Sequence, residues 1–269
     1  MYKLIACDLD ETLFKLNRTI DPIDIRAIQE AKEIGVKFVP ATGRGYTSVQ
    51  GTLKELGLFD EPGEYVISFN GGAITENKDN RLLHFTGLPF DLAQELYRRG
   101  LNYDVCVHVY TKDMVYAYNL FQGEIDYLAG RMEIREIFSK DIEFLRGQEI
   151  VKVLYTNTDQ AYLHRIADEL KDITGDVDVS YSSNRYLEFN HRGVNKGQGL
   201  ITLEELLKID PKETIAIGDN YNDLPMIKAA GLGVGVGNTV ESMKKECDYI
   251  TEATCDECAV AEVIQKFVL

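Results

Sequence analysis

The sequence predicts an α/β chain: a parallel-sheet core with helices on both faces, interrupted by an inserted α+β domain. Three observations carry this expectation. Apolar strands alternate with helix-length amphipathic segments from Tyr2 to Gly72. Closely spaced alternating strands follow, and the strand–helix pattern returns after about residue 190. Two apolar strands run directly into acidic clusters, DLDET at Asp8 to Thr12 and GDNYND at Gly218 to Asp223. Open α/β sheets place their sites at such carboxyl ends.

The segment YKLIACD, Tyr2 to Asp8, reads as a buried strand, and an amphipathic helix begins near Pro22. VKFVPATGR, Val36 to Arg44, is a second strand with a small polar exit. Tyr46 to Leu56 is a helix, and YVISFNGG, Tyr65 to Gly72, a third strand with a glycine-rich exit. This succession is that of a parallel sheet covered on both faces. From about Leu82 the pattern changes. PFDLAQELYRRG is helical, while VCVHVYT and MVYAYN form a hairpin across Lys112 and Asp113. IVKVLYT, a helix over DQAYLHRIADELKDI, VDVSYS and RYLEFN complete a mostly antiparallel block. The parallel pattern resumes with a helix at Gly197 to Leu207, the strand TIAIG and a helix at Asn222 to Ala230. LGVGVG, a short helix near Val240, CDYIT and a last helix ending near Phe267 follow. The expected organisation is a discontinuous core of residues 1–85 and 191–269 with an inserted domain at 86–190.

The chain has 269 residues, enough for one large domain or two smaller ones. No apolar run reaches the length of a membrane span, and the start lacks a signal-peptide pattern, so a cytoplasmic location with no membrane partner is expected. A net charge of −15 disfavours nucleic acid as a partner. An anionic small substrate then needs a local cationic patch. The five cysteines are scattered, which fits reduced thiols; CDEC at 255 to 258 has no second ligand pair and reads as a helix start. His84, His108, His164 and His191 do not form a zinc constellation. LGVGVGN lacks the ordered dinucleotide fingerprint.

Asp8, Asp10, Asp219 and Asp223 at two strand ends repel one another and lose hydration, a combination that calls for a cation. Oxygen donors suit magnesium better than zinc. Asp8 is the candidate nucleophile toward a phosphoryl group, with Asp10 as acid and then base. Asp219 is the second metal ligand after Asp8, and the backbone carbonyl of Asp10 supplies another oxygen. Thr42 and the Gly43 amide are candidate phosphate contacts, while Arg44 either orients their loop or makes an ion pair. Lys196 can neutralise phosphate and stabilise ionised Asp8. Asn222 either donates to phosphate or holds a carboxylate; Asp223 either ligates through water or orients Lys196. Asn70 either touches substrate or holds the nucleophile loop.

The ordered set DLDET, ATGR, NKG and GDNYND resembles the haloacid dehalogenase-like hydrolase superfamily, and more narrowly a Cof-type phosphatase with a type IIB cap. The resemblance covers essentially the whole chain. It implies a Rossmann-like core, Mg²⁺ as cofactor and hydrolysis of small phosphomonoesters, sugar phosphates or related metabolites, through an aspartyl-phosphate. In that pattern Asp8 forms the phosphoenzyme, Asp10 is the acid/base, Asp219 the distal ligand, and Thr42 and Lys196 contact phosphate. Two departures are Glu11, where many relatives have Gly, and Gly45, where many have Pro. Neither removes a reacting group. Glu188, Asn190, His191 and Arg192, at the return from the cap, are candidates for recognising the leaving group. Phosphohexomutase action and non-enzymatic phosphate-ligand sensing are the competing readings; monomer and homodimer both remain open.

Overall fold

The computed structural model describes residues 1–129, 133–182 and 184–269. Strand β1 (Leu4–Cys7) leads through helix α1 (Pro22–Glu33) to β2 (Lys37–Pro40). Asp21 caps α1 by accepting from the Ile23 amide at 2.9 Å, and Pro22, lacking an amide hydrogen, suits the first helical turn. The expected Tyr46–Leu56 helix is split: a 3-10 turn over Tyr46–Val49 precedes α2 (Gln50–Glu55). Strand β3 (Tyr65–Ser68) is not an ordinary member of the parallel sheet. One parallel bridge, Ala41 to Ile67, joins it to the chain after β2. It then pairs antiparallel with β4 (Ala73–Glu76), and β4 with β5 (Arg81–Phe85). This hairpin was not read from the sequence.

The second compact unit, residues 86–194, has its own core. It comprises α3 (Phe90–Gly100), β6 (Cys106–Thr111), β7 (Val115–Tyr118), α4 (Gln122–Leu128), β8 (Ile134–Ile137), β9 (Ile150–Thr156), α5 (Gln160–Glu169), β10 (Val177–Ser182) and β11 (Tyr186–His191). Its six-stranded sheet has the order β10-β11-β9-β6-β7-β8, antiparallel except between β7 and β8. Strand alternation sends Val107, Val109, Val153, Tyr155, Leu187 and Phe189 into an apolar core with Leu96, Leu163 and Ile166 of the helices. The opposite face carries His108, Lys152, Glu188 and Asn190, all nearly inaccessible. α4 and β8 lie in a stretch, 120–149, for which the sequence pattern offers no assignment.

The first unit comprises residues 1–85 and 195–269. Its later part contains α6 (Lys196–Leu207), β12 (Thr214–Gly218), α7 (Leu224–Ala229), β13 (Leu232–Gly235), α8 (Glu241–Lys244), β14 (Tyr249–Ile250) and α9 (Ala259–Phe267). The sheet is parallel throughout, in the order β14-β13-β12-β1-β2. Both faces are covered. Ile5, Phe38, Ile215 and Ile217 pack with Ala27 and Ile28 of α1 and with Val260, Val263 and Ile264 of α9. Leu4, Ala6, Val39 and Ala216 pack with Leu200 and Leu203 of α6 and Met226 and Ile227 of α7. Burial on two sides explains why LIAC and TIAIG are continuously apolar rather than alternating.

Candidate active site

Register brings the acidic motifs together. Cys7 pairs with Ile217 on one side of β1 and with Pro40 on the other. The segments beginning at Asp8, Asp219 and Thr42 therefore leave three neighbouring strands at the same edge. The Asp8 amide still donates to the Ile217 carbonyl at 2.9 Å, which fixes its start relative to β12.

Lys196 opens α6, where the Asn195 side chain accepts from the Gln198 amide at 2.9 Å. Its ammonium is completely buried and donates to Asp8 Oδ1 and, at 2.6 Å, to Asp223 Oδ1. The other oxygen of Asp223 accepts from the Asp219 and Asn220 amides, each at 3.1 Å. Asp223 is thus committed to orienting Lys196 and its own loop. A side chain at Gly218 would put Cβ 2.4 Å from Asp223 Cβ, so only glycine lets the loop fold back here. The Thr12 hydroxyl donates to Asp219 Oδ1 at 2.8 Å, a partner that the sequence reading did not assign.

Carboxylate oxygens of Asp8, Asp219 and Asp223 lie within 4.8 Å of one another. Burial pushes the Asp8 carboxyl well above its ordinary value; Lys196 pulls it back, and Asp223 and Asp219 push it further up. Burial, followed by repulsion from Asp223, raises Asp219 to about 7. Burial alone would lower the Lys196 ammonium, but Asp223 and Asp8 outweigh it and hold it above its ordinary value. Lys196 pairs directly with Asp8 and Asp223, and Asp219 lies beside them, so ionising all three buried carboxylates takes more positive charge than this one ammonium supplies. Hard oxygen donors with uncompensated charge fit a divalent cation.

Asp10 is not part of this cluster. Its carboxylate is exposed and faces Arg44, whose Nε donates to Oδ2 at 3.0 Å and whose Nη2 donates to Oδ1. Thr42 is buried; its hydroxyl oxygen accepts from the Arg44 amide at 3.1 Å, leaving its proton available. Asn70 has a left-handed backbone, φ 54°, and its amide donates to the Thr42 carbonyl at 2.9 Å. A Cβ at Gly43 would lie 3.2 Å from Asn70 Oδ1, a buried acceptor without a partner, so Asn70 closes over the Thr42–Gly43 loop. Asn222 is exposed on the acidic loop.

The candidates of the return segment are placed differently from one another. Glu188 is buried, accepting from Lys152 Nζ at 2.5 Å and from the Ser182 hydroxyl. Asn190 is also buried and lies opposite Lys152 in the register of β11 and β9. His191 Nδ1 lies 2.9 Å from the Arg192 carbonyl oxygen. Arg192 is exposed and donates to the Gly175 carbonyl.

A family model described as haloacid dehalogenase-like hydrolase matches residues 5–264, nearly the whole chain. The chain belongs to that family. This hydrolase is 31% identical over 270 residues to "Putative phosphatase YxeH" of Bacillus subtilis, covering 100% of this chain and 99% of that protein. It is 28% identical to the 5-amino-6-(5-phospho-D-ribitylamino)uracil phosphatase YcsE of the same organism, over 99% of this chain and 96% of that one. A solved haloacid dehalogenase-like hydrolase from Bacteroides thetaiotaomicron has 32% identity and a TM-score of 0.88, with 99% of each chain covered. The hydrolase is of the Cof type, and its inserted unit is a type IIB cap. No helix among the described residues is long and apolar enough to cross a membrane.

Proposed function

We propose that this chain hydrolyses small phosphomonoesters, sugar phosphates or related metabolites, through an aspartyl-phosphate on Asp8, with Mg²⁺ as cofactor in the cytoplasm. The observation that carries the reading is the buried Asp8–Lys196–Asp223 arrangement beside Asp219, which holds a nucleophilic carboxylate against a fixed cation while leaving negative charge uncompensated. Asp8, Asp219 and the Asp10 carbonyl would hold the Mg²⁺, which supplies Lewis-acid charge to the phosphoryl oxygens.

An Asp8 oxygen forms the new bond to phosphorus as the bond to the leaving oxygen breaks, and Asp10 delivers a proton to that oxygen. Water then attacks the phosphorus, Asp10 takes its proton, and the bond to Asp8 breaks, releasing inorganic phosphate and restoring the carboxylate. Lys196 stabilises charge on the phosphoryl oxygens, and the Thr42 hydroxyl, the Gly43 amide and the Asn222 side chain contact them. Asp223 keeps Lys196 in place. Asn70 supports the Thr42–Gly43 loop. Glu188, Asn190, His191 and Arg192 are the cap's candidates for recognising the leaving group.

The test is phosphate release from a panel of sugar phosphates, nucleotides and an aryl phosphate, with Mg²⁺, with EDTA and with Asp8→Asn. Release that requires the metal and disappears in the variant is expected. An isomeric sugar phosphate formed at constant inorganic phosphate would instead establish a mutase. Saturable phosphate-ligand binding with no turnover of any substrate would establish a sensor.

A further inference from the structure

We propose that Arg44 is a positioning residue for the acid/base Asp10, clamping the Asp8–Phe14 loop to the Thr42–Arg44 loop. The inference rests on the phosphatase reading and adds a role to it. Asp10 lies beyond β1, and its side chain is 54% exposed, so packing alone does not hold it. What holds it is a two-point contact: Nε and Nη2 of Arg44 each reach a different oxygen of the same carboxylate. A planar fork on a planar carboxylate fixes orientation as well as distance, which a lysine ammonium cannot do.

Arg44 is itself held at both ends. Its amide donates to the Thr42 hydroxyl at 3.1 Å, and its carbonyl accepts from the Phe69 amide at 2.9 Å. Its guanidinium lies 5.3 Å from the centre of the Phe14 ring, and Phe14 is bridged in turn to Asp10. The guanidinium therefore touches the first loop at two places while its backbone belongs to the second. Since that second loop carries Thr42 and Gly43, the clamp sets Asp10 against the residues proposed to bind phosphate. An exposed surface pair would contribute little to stability, so the expected consequence lies in catalysis.

On taking up its proton Asp10 gives up one of the two contacts and keeps the other, which still sets its direction; delivery of that proton matters most when the leaving oxygen is strongly basic. An alkyl phosphate needs it; a p-nitrophenyl phosphate, whose leaving group departs as a stable anion, needs it far less. The experiment follows leaving-group release in a single turnover, so that the later hydrolysis step, common to both substrates, does not enter. With Arg44→Met, release from an accepted alkyl phosphate should fall roughly a hundredfold, the scale of general acid catalysis, and release of p-nitrophenol less than about tenfold. Arg44→Lys keeps the charge without the fork and should restore less than half of the lost alkyl rate on a logarithmic scale. Equal losses on both substrates in both variants would overturn the proposal and make Arg44 a phosphate contact. Faster alkyl release would also overturn it, because Arg44 would then restrain Asp10 rather than position it. Absence of release from either substrate in the unmodified protein would instead refute the underlying phosphatase reading.

Discussion

In the core, Asp8 and Asp223 pair with the ammonium of Lys196 and Asp219 converges on them without an ion pair among the described residues, whereas in the cap Glu188 has Lys152 and Glu124 has Arg185. The carboxylates of both sets are buried. The cap set is balanced and bonded: Tyr186 donates to Glu124 at 2.7 Å, Ser182 donates to Glu188, and burial, with Lys152 nearby, lowers His108 to about 3 and keeps it neutral. Burial alone would raise Glu188, yet Lys152 and Ser182 outweigh it and hold that carboxyl below its ordinary value. In the core the sign is reversed for Asp8 and Asp219. Balanced buried charge is compatible with a purely structural role. An unbalanced buried carboxylate either takes up a proton or binds a cation, and several that converge on one point favour the cation.

The largest effect is expected in the cap. Glu188→Gln strands the Lys152 ammonium and should cost about 3–5 kcal/mol of stability in chemical denaturation, whereas Lys152→Met with Glu188→Leu should be close to neutral. A double variant as unstable as the single would mean that the pair is not the isolated structural unit described.

The opposite sign is expected in the core. In EDTA, Asp219→Asn removes repulsion while retaining the acceptor for Thr12, and should raise stability by about 1–3 kcal/mol. With Mg²⁺ present, the unmodified protein should gain thermal stability and the variant should not. A variant destabilised in EDTA would mean that the Asp219 carboxylate, like that of Glu188, is stabilised by its contacts in the folded protein.

A smaller effect is expected at Asp24. This buried carboxylate accepts from the Ala261 amide of α9 at 2.7 Å, and burial raises it to about 6 despite that bond. A folded value above the ordinary one means that the folded state holds the proton more tightly. Its contribution is therefore greatest at low pH and declines as pH rises through about 6. Asp24→Asn should flatten that decline and add about 1–2 kcal/mol above it, with no change in metal response. A raised carboxyl is thus not by itself a site; the core differs because several carboxylates converge.

Much of the core was legible because strand ends are local signals. DLDET after LIAC and GDNYND after TIAI announce acidic loops, and parallel pairing of those strands brings the loops together. Arg44 facing Asp10 was not legible, since one residue between two loops can meet several partners and only packing selects one. The link from Thr12 to Asp219 spans 207 positions and has no local trace. The β4–β5 hairpin was missed because YVIS reads equally well as a parallel core strand, and its single bridge to Ala41 is a tertiary fact. The backbone at Glu11 was not legible either. Its φ of 62° lies in the left-handed region, which favours glycine, and nothing local in DLDET announces that conformation.

The whole mechanism turns on covalent phosphorylation of Asp8. The direct measurement is a rapid acid quench of the enzyme during turnover of an accepted phosphomonoester, followed by mass spectrometry of the peptide containing Asp8. One phosphoryl group on Asp8 is expected, formed at a rate sufficient to support turnover, prolonged when Asp10→Asn slows its hydrolysis, and absent from Asp8→Asn. Sustained phosphate release by the unmodified enzyme, with Asp8 unlabelled at every quench time in both it and Asp10→Asn, would contradict it and point to direct attack by water.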